Sequence, residues 1–409
     1  MPLLAAGLIN LALCLVYLFL FTDPLYVINH EATQLAVNLA RGFGFVGSGG
    51  LNLKIGASAI IQPAYPFILA IFITLCKIPK AFLAIRLFQV AINLCLGLLI
   101  YLTAREIFGK RTAAFSVFIF AFYLPFIHFT TIIWDTLLFT LMLSAVVFVS
   151  ILKNEDSLWR SALIGLLIGL TVMVNAIGLI LLPVIAVYRF MRSSGNIKKT
   201  LAGILVIWLA AIAVFLPWSL RNSTTYRSFV PVRTGLWGVL YHGNNPDATG
   251  TIWLKHNGKA PKSPEEGITL HFRPMVPAII NLNEREQDQY FKYKLFAYVL
   301  SDPVQFLKMT FVKAYYFIWF NPFELNSNWW VLEYFLVLLA GICGLYQACR
   351  QKKRGGLFIL LFIAFTLMYS FLGVFYNWKY RLPIEPFMII LAGYGLNNLF
   401  PSRSVAQDL

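Results

Sequence analysis

Apolar runs that approach or reach membrane-spanning length constrain this chain more than any other feature of its sequence. A helix needs roughly 20 consecutive apolar residues to cross a bilayer, and several runs come close to that length or meet it. The 409 residues are 59% hydrophobic and 12% charged, which leaves too little polar material to cover a water-soluble domain. The sequence therefore predicts an all-α polytopic membrane protein.

About ten transmembrane helices are predicted, and the charges between them give an orientation. The expected spans are 3–22, 85–105, 112–131, 136–152, 161–174, 176–190, 200–217, 329–348, 356–376 and 383–400. Four basic clusters occupy the short loops, within 105–111, 153–160, 189–199 and 350–354. Basic loops favour the cytoplasmic side, which places both chain ends inside. The loops also account for the net charge of +16, and without a separate basic domain no nucleic-acid partner is expected.

Two long outer segments organise the chain into three parts. The expected parts are an N-terminal membrane module (1–217), a large outer loop (218–328) and C-terminal membrane helices (329–409). A first outer loop, 23–84, lies inside the N-terminal module. Both outer loops are expected to carry interfacial helices.

Two apolar segments, 63–78 and 303–320, are expected not to cross the membrane. The first is short and begins with two prolines, and the second is interrupted by two lysines. Counting either one as a span would move later basic loops to the outer side, against their charge. Irregular segments at membrane depth survive only against protein or a wet cavity. These two segments therefore suggest a cavity on the outer face.

Two acidic residues on the outer side are candidate catalytic groups. Residues 28–42 have the spacing of an amphipathic helix, and Glu31 leads its polar face. A carboxylate on such a wet face can serve as a base, although a solvated surface Glu would give the same pattern. Asp135 comes directly before an apolar run on the same side. It is either a second functional acid or an N-cap whose carboxylate accepts backbone N–H bonds.

Four basic residues lie at span ends on the outer side, against the charge bias of membrane proteins. They are Arg86, Arg221, Lys379 and Arg381. One interpretation is that they snorkel to lipid headgroups. The other is that they bind the phosphate of a lipid-linked molecule, which Arg holds through two parallel hydrogen bonds.

Polar residues of the outer loops are candidates for binding a sugar or an acceptor: His30, His242, Asn244 and Asn245. A divalent metal at His242 is an alternative, but a lone His in a Gly/Asn-rich loop is more often a turn residue. No metal ligands are assigned, and a divalent metal is the one cofactor that the sequence leaves open. The five cysteines lie in or beside apolar segments without a Cys-x-x-Cys pattern, which predicts neither a disulfide framework nor a zinc ribbon.

Five short phrases occur in order along nearly the whole chain. They are Leu35-Ala36-x-Asn38-Leu39-x-x-Gly42-x-Gly44-Phe45, Pro63-x-Tyr65-Pro66, Arg105-x-x-Phe108-Gly109-x-Arg111, Pro217-Trp218-x-x-Arg221-Asn222, and Tyr380-Arg381-x-Pro383-x-x-Pro386 running into Leu391-Ala392-Gly393. Together they resemble the GT-C fold glycosyltransferases. Within that family the similarity is to the protein O-mannosyltransferase-like and aminoarabinose-transferase-like bacterial membrane enzymes.

The resemblance implies a GT-C type fold and an enzyme of the bacterial inner (plasma) membrane that acts at its outer face. Such an enzyme transfers one sugar from a polyprenyl-phosphate donor to a lipid, glycan or protein acceptor. It uses an acid in the first outer loop to activate the acceptor hydroxyl, and a second acid that follows the third span. The basic pair Lys379 and Arg381 lies where the family places phosphate-binding residues.

The acids match the family unequally. Asp135 has the place of the second acid, but the usual first-loop Asp falls at Ile28 in this chain. Either Glu31 or Asp23 takes that role, or the protein is an inactive member. Two other functions also fit large outer loops. A flippase or transporter of lipid-linked sugars predicts acids buried mid-span and internal symmetry, which the sequence does not show, and a glycan polymerase would have a different fold.

Overall fold

The computed structural model describes residues 1–28, 30–47, 56–152, 157–193, 195–251, 276–279, 281–319, 330–353, 355–372 and 377–400. Two residues of the predicted basic clusters, Lys153 and Arg354, and parts of both outer loops lie outside the described residues.

Helices make up most of the described chain. The α-helices are α1 (Pro2–Leu20), α2 (Glu31–Ala40), α3 (Ala64–Cys76), α4 (Lys80–Phe108), α5 (Lys110–Phe122), α6 (Leu124–Phe129), α7 (Thr136–Ile151), α8 (Leu158–Val174), α9 (Leu181–Arg192), α10 (Ile197–Tyr226), α11 (Leu236–Gly243), α12 (Val276–Ile279), α13 (Glu284–Ser301), α14 (Pro303–Ile318), α15 (Val331–Arg350), α16 (Gly356–Phe371), α17 (Asn377–Arg381) and α18 (Glu385–Leu399). Short 3₁₀ helices cover Ala176–Ile180 and Leu382–Ile384, and strands β1 (Val46–Gly47) and β2 (Gly56–Ala57) pair antiparallel.

The apolar helices confirm an all-α, multi-pass membrane protein. Four of them, α1, α4, α10 and α15, are long and apolar enough to cross a bilayer, and α3, α7, α8 and α16 are shorter apolar helices. Only 22% of the apolar window of α1 and 28% of that of α10 is buried inside the protein. A large continuous apolar surface outside the core is typical of helices that face lipid, which is what we expect of these two.

Glycines set the closest helix contacts of the bundle. A Cβ on Gly165 of α8 would collide with the Ile207 carbonyl oxygen of α10. On the other side of the bundle, a Cβ on Gly344 of α15 would collide with the Leu391 carbonyl oxygen of α18. Small residues let helix backbones approach closely, which is how helices gain packing energy within lipid. Each of these two helix pairs therefore depends on its glycine.

Two predicted spans have different limits in the structure. The span expected at 112–131 is divided, because the chain is extended at Tyr123 and α6 begins anew with Pro125 in its first turn. Pro is tolerated there, since the first-turn N–H groups have no partner within the helix. Conversely, the span expected to end at 217 continues as α10 through Pro217 to Tyr226. The predicted domain boundary at 217 thus falls inside a helix.

The shorter elements α2, α3, the strand pair, α11 and α13 lie between the longer apolar helices in the chain order. Glu284, at the start of α13, links several segments of the chain. The Glu284 carboxylate accepts hydrogen bonds from the Ala59 amide (2.8 Å), the Tyr226 hydroxyl (2.7 Å) and the Thr234 hydroxyl (2.7 Å). One buried side chain therefore joins the first outer loop, the end of α10 and the start of α13.

Helix α3 covers most of the segment that was expected to remain at the interface. Its 13 residues extend about 20 Å at 1.5 Å per residue, which is short of a bilayer core of about 30 Å. The length agrees with an interfacial or re-entrant helix, and the side of the membrane on which it lies stays a prediction.

Candidate functional site

Helix α2 forms where the amphipathic pattern predicted a helix, and its orientation is set by His30. The ring Nδ1 of His30 accepts hydrogen bonds from the Ala32 and Thr33 amides and so caps the helix. The ring Nε2 donates to the Ile133 carbonyl oxygen at 2.6 Å. This arrangement requires the neutral ring, and burial lowers the pKa of His30 in agreement. His30 thereby ties α2 to the segment that carries Asp135.

Glu31 follows His30 directly and is exposed, as is Arg41 at the end of α2, while Ala32, Leu35 and Ala36 are buried. This is the division between polar and apolar faces that the sequence predicted. Glu31 interacts electrostatically with Lys379 and with Arg233, two cations from distant parts of the chain. The Glu31 carboxylate is therefore within electrostatic range of two cations, unlike an isolated surface Glu.

Asp135 occupies the N-cap position of α7 without acting as a cap. Its side chain makes no hydrogen bond to the first turn of the helix. The carboxylate instead accepts a hydrogen bond from the Asn175 amide at 2.9 Å, and Asn175 is fixed in turn by the Ile177 amide, which donates to its Oδ1 at 3.1 Å. The interpretation of Asp135 as a helix cap is thus wrong for this structure, because its carboxylate is bonded to Asn175 and not to the first turn of α7.

Burial raises the pKa of Asp135, and the nearby cations Lys379 and Arg233 act in the opposite direction. Desolvation makes a carboxylate more basic, and the flanking positive charges oppose part of that change. This combination suits a side chain that accepts a proton or stabilises a developing positive charge.

Lys379, on the short helix α17, enters the site from the C-terminal half of the chain. Its ammonium nitrogen lies 3.1 Å from the ring centroid of Trp134, and it also interacts with Asp135 and Glu31. Burial lowers the pKa of Lys379 to about 7, and the two carboxylates counteract that shift. A lysine in this state carries its charge at neutral pH only in part, and an added anion would restore the charge.

Arg233 supplies the second cation and comes from the segment between α10 and α11. Its Nε donates to the Thr234 carbonyl oxygen at 2.9 Å, and its charge interacts with Glu31, Asp288 and Asp135. Arg233 was not among the residues predicted from the sequence. A signal was present, because Arg233 belongs to the predicted outer loop and follows the Pro217-Trp218 phrase by 15 residues.

Two of the predicted phosphate-binding arginines, Arg86 and Arg221, are hydrogen-bonded to backbone carbonyl oxygens of the protein. Arg86 is buried and donates to the carbonyl oxygens of Pro24 (2.7 Å), Tyr26 (3.0 Å) and Thr131 (3.0 Å). Arg221 donates to the Ser58 carbonyl oxygen at 2.6 Å and lies over the Trp218 ring at 4.8 Å. These guanidinium groups hold the first outer loop against the bundle, and the geometry brings neither of them to the acidic pair.

Arg381 is buried against a carboxylate of its own chain segment. Its Nε lies 2.9 Å from Glu385 Oε1, and its guanidinium carbon lies 3.5 Å from the ring centroid of Tyr334. The other Glu385 oxygen accepts from the Tyr123 hydroxyl at 3.0 Å. With 2% of its surface exposed, Arg381 forms an internal ion pair, so Lys379 is the member of the predicted basic pair that reaches the site.

The predicted sugar-binding residues of the large outer loop form a separate buried cluster. Asn244 donates to the Phe371 carbonyl oxygen at 2.8 Å, and its Oδ1 accepts from the Lys313 ammonium at 2.6 Å. Asn245 donates to the Tyr241 and His242 carbonyl oxygens, and His242 is itself buried. These contacts join α11 to α14 and α16, which is a structural role.

No group of three His, Cys, Asp or Glu side chains comes together as a metal site within the described parts of the chain. The residues at the acidic pair are two carboxylates and two cations, with His30 already bonded through both ring nitrogens. Such a set offers charge to a substrate directly and does not resemble the ligand sets that proteins use for transition metals.

An apolar cavity of ≈ 200 Å³ lies between α14, α15, α16 and α18. Its lining includes Phe317, Leu338, Ile363 and Met388, and Arg381 and Tyr334 also belong to its wall. The cavity is suited to hydrocarbon, since its polar lining side chains are few and Arg381 is already paired with Glu385.

The fold defines the class of this protein. The chain matches the apo oligosaccharyltransferase of Archaeoglobus fulgidus over 100% of its own length and 51% of that chain, with a TM-score of 0.63 and 13% sequence identity. It matches the same organism's AglB in complex with an inhibitory peptide and a dolichol-phosphate (TM-score 0.56, 12% identity, 98% and 52% covered). It matches ArnT from Cupriavidus metallidurans in the apo state (TM-score 0.50, 15% identity, 98% and 61% covered). The chain spans about half of the length of the oligosaccharyltransferases that it matches.

The sequence comparison agrees with this fold. Residues 62–220 match the family model described as dolichyl-phosphate-mannose-protein mannosyltransferase, which is less than half of the chain. No curated protein matches the sequence. The predicted resemblance is confirmed at the level of the fold: the protein is a polytopic membrane protein of the GT-C type, the fold of membrane glycosyltransferases.

Proposed function

We propose that this protein is a glycosyltransferase that moves a sugar from a polyprenyl-phosphate carrier to an acceptor hydroxyl or amide at the outer face of a bacterial plasma membrane. The observation that carries the proposal is the convergence of four charged side chains from four separate segments. Glu31 and Asp135 supply two carboxylates, and Arg233 and Lys379 supply two cations.

This charge arrangement fits an inverting displacement at the sugar. A carboxylate takes the proton of the acceptor as its oxygen or nitrogen bonds to the anomeric carbon, while the bond from that carbon to the phosphate oxygen breaks. The departing polyprenyl phosphate gains one negative charge. Lys379 and Arg233 are placed to neutralise it, and a preorganised cation at developing charge is among the largest contributions to catalysis.

Glu31 is the proposed base, and Asp135 the acid that orients the acceptor or the sugar. Glu31 is exposed on the polar face of α2, so it can take the proton of the acceptor and then release it to water. Asp135, in contrast, is buried and bonded to Asn175. The position of Glu31 compensates for the Ile at the place of the usual first-loop Asp.

The apolar cavity supports a lipid-linked donor. Its lining from α14, α15, α16 and α18 is apolar, so part of a hydrocarbon chain could occupy it without burying unpaired polar groups. The solved AglB and ArnT structures carry the same fold. We extend the use of a polyprenyl-phosphate donor to this chain on the basis of that likeness and of its own charges.

A transporter of lipid-linked sugars is less well supported. Within the described apolar helices, acidic side chains lie only at helix ends: Glu106 in the last turn of α4, Glu333 in the first turn of α15 and Glu385 at the start of α18. No acid lies midway along a described span, where a transported polar group would need a partner.

The proposal can be tested with purified protein in lipid nanodiscs. The assay measures the transfer of sugar from a panel of radiolabelled polyprenyl-phosphate sugars to endogenous or added acceptors. Glu31→Gln keeps the side-chain shape and removes the base, so it should lower the transfer rate by about 10²–10⁴-fold. Glu106→Gln is the matched control, because Glu106 is an exposed acid at the far end of α4. Full transfer by Glu31→Gln would reassign the base to Asp135 or Asp23. Movement of labelled carrier across the bilayer without transfer would favour the transporter.

A further inference from the structure

Trp134 contacts two residues of the candidate site, His30 and Lys379, and the proposed reaction assigns it no role. On one side the His30 ring centroid is 5.0 Å away, and on the other the Lys379 ammonium is 3.1 Å from its ring centroid. Trp134 also precedes Asp135 directly in the chain. It therefore contacts the residue that anchors α2 and a proposed phosphate-binding cation at once.

The placement of Lys379 needs an explanation. A lysine near a membrane surface normally extends its ammonium group towards headgroups and water. Here it turns inwards, towards Asp135 and Glu31, and no protein oxygen that the structure describes bonds to its ammonium. The aromatic face of Trp134 is the contact that replaces water, because the negative face of an indole attracts a cation, and most strongly when the cation is desolvated.

We propose that Trp134 is a positioning residue: its indole face holds the protonated Lys379 beside Asp135 and Glu31, so that the cation is already in place when a sugar-phosphate donor binds. The role in donor binding rests on the proposed function above. The contact itself can be tested without any donor.

A pH-dependent measurement on Lys379 must be interpreted together with the charged and titratable groups that surround it. From α2 it faces Glu31 and His30, from the start of α7 Asp135, and on α17 its neighbour Tyr380, whose ring centroid is 5.3 Å away. Helix α14 also packs against α17, but its Lys313 does not contact this group. The Lys313 ammonium donates hydrogen bonds to the carbonyl oxygens of Gly243 and Phe371 and to Asn244 Oδ1. Since His30 is bonded through both ring nitrogens as the neutral ring, the labelling measurement follows the Lys379 amine itself, whose pKa burial lowers to about 7.

The direct test measures the protonation of Lys379 in the whole protein by competitive acylation of its amine across a pH series, read by mass spectrometry. In wild type the pKa should be about 7. A cation–π contact stabilises the charged amine, so Trp134→Leu should lower the pKa by about one unit, and Trp134→Phe, which keeps an aromatic face, by less. An unchanged pKa in Trp134→Leu would overturn the proposal. A raised pKa would also overturn it, because Trp134 would then only exclude water from the amine.

The second test asks whether the contact serves the donor. Trp134→Leu should raise the KM for the donor by about tenfold to thirtyfold, and Trp134→Phe should restore much of that loss. The alkaline limb of the donor KM profile should move to lower pH together with the labelling pKa. Trp159→Leu is the matched control, because Trp159 is 71% exposed and lies at the opposite end of α8 from Asn175.

The outcomes separate the two proposals. If wild-type protein transfers no sugar but the labelling pKa falls in Trp134→Leu, the proposed function fails and Trp134 still positions Lys379. If transfer occurs and Trp134→Leu changes neither the donor KM nor its pH dependence, the positioning role is refuted while the proposed function stands. A Trp134→Leu rate loss that is equal at every pH, with an unchanged labelling pKa, would mean that Trp134 only supports the fold.

Discussion

The candidate phosphate-binding residues differ in how many of their polar atoms already make hydrogen bonds within the protein. Arg86 and Arg381 looked equivalent to Lys379 in the sequence, because all three lie at outer span ends. In the structure Arg86 is bonded to three carbonyl oxygens and Arg381 to Glu385. Bonded groups of this kind cannot turn to a substrate without losing buried hydrogen bonds, each with a penalty of about 1–3 kcal/mol. Lys379 and Arg233 are the cations that remain for an anion.

Lys379→Arg tests the pH dependence that follows from this assignment. Burial sets the pKa of Lys379 at about 7, so the protonated form, which binds phosphate, is present below that pH and is lost as pH rises through it. Wild-type donor KM should therefore increase on the order of tenfold or more between pH 7 and pH 9. Arg stays charged throughout this range.

The Lys379→Arg variant should show little change in donor KM between those pH values, whatever its KM at pH 7. The comparison is steady-state donor KM for both proteins across the same buffers. A wild-type KM that does not change with pH, or a variant that retains the wild-type pH profile, would show that Lys379 does not bind the phosphate.

At the level of helices, the sequence predicted the type of each element more accurately than the residues at which it begins and ends. The amphipathic spacing of 28–42 gave α2 and its two faces, because a 3.6-residue period is a local property. The break at Tyr123 and the passage of α10 through Pro217 were not predicted. A proline is compatible with a helix end, a kink or a helix start, and its neighbours in the folded bundle decide among them.

Arg381→Ala tests whether the ion pair at the start of α18 is structural. Removing Arg381 leaves Glu385 buried and unpaired, which should destabilise the protein by about 3–5 kcal/mol. The measurement is thermal unfolding in detergent. The double variant Arg381→Met with Glu385→Met removes both charges and should recover most of the loss. If Arg381→Ala instead unfolds at the wild-type temperature and raises donor KM, Arg381 binds the donor as the sequence pattern suggested.

The orientation of α4 can be measured at its two ends. Lys80 and Lys110 are separated by the 29-residue helix, about 43 Å at 1.5 Å per residue, which exceeds a bilayer core. Cysteines placed at these positions should react differently with a membrane-impermeant maleimide. Lys80→Cys is expected to react in intact cells and Lys110→Cys only after permeabilisation, with the unsubstituted protein as background. The reverse labelling would invert the topology and place Glu31 and Asp135 on the cytoplasmic side.

For the whole molecule, composition and charge distribution were enough to predict a multi-pass helical membrane protein, since the bilayer admits few other solutions. The candidate site was predicted only in part. Glu31, Asp135 and Lys379 were candidates because of their places near predicted helix ends, and their roles stay predictions. Arg233 and Asn175 were not, because their roles depend on contacts between segments that lie far apart in the chain, which no local pattern reports.

The measurement that tests the proposed donor site most directly is a structure of the full chain with a polyprenyl phosphate bound. We predict that the phosphate lies within about 4 Å of both the Lys379 ammonium and the Arg233 guanidinium, an ion-pair distance, on the side of the membrane that carries Glu31 and Asp135. A phosphate bound at the basic loop of Arg105 and Lys110, at the opposite end of α4, with the site of Glu31 and Asp135 empty, would contradict it.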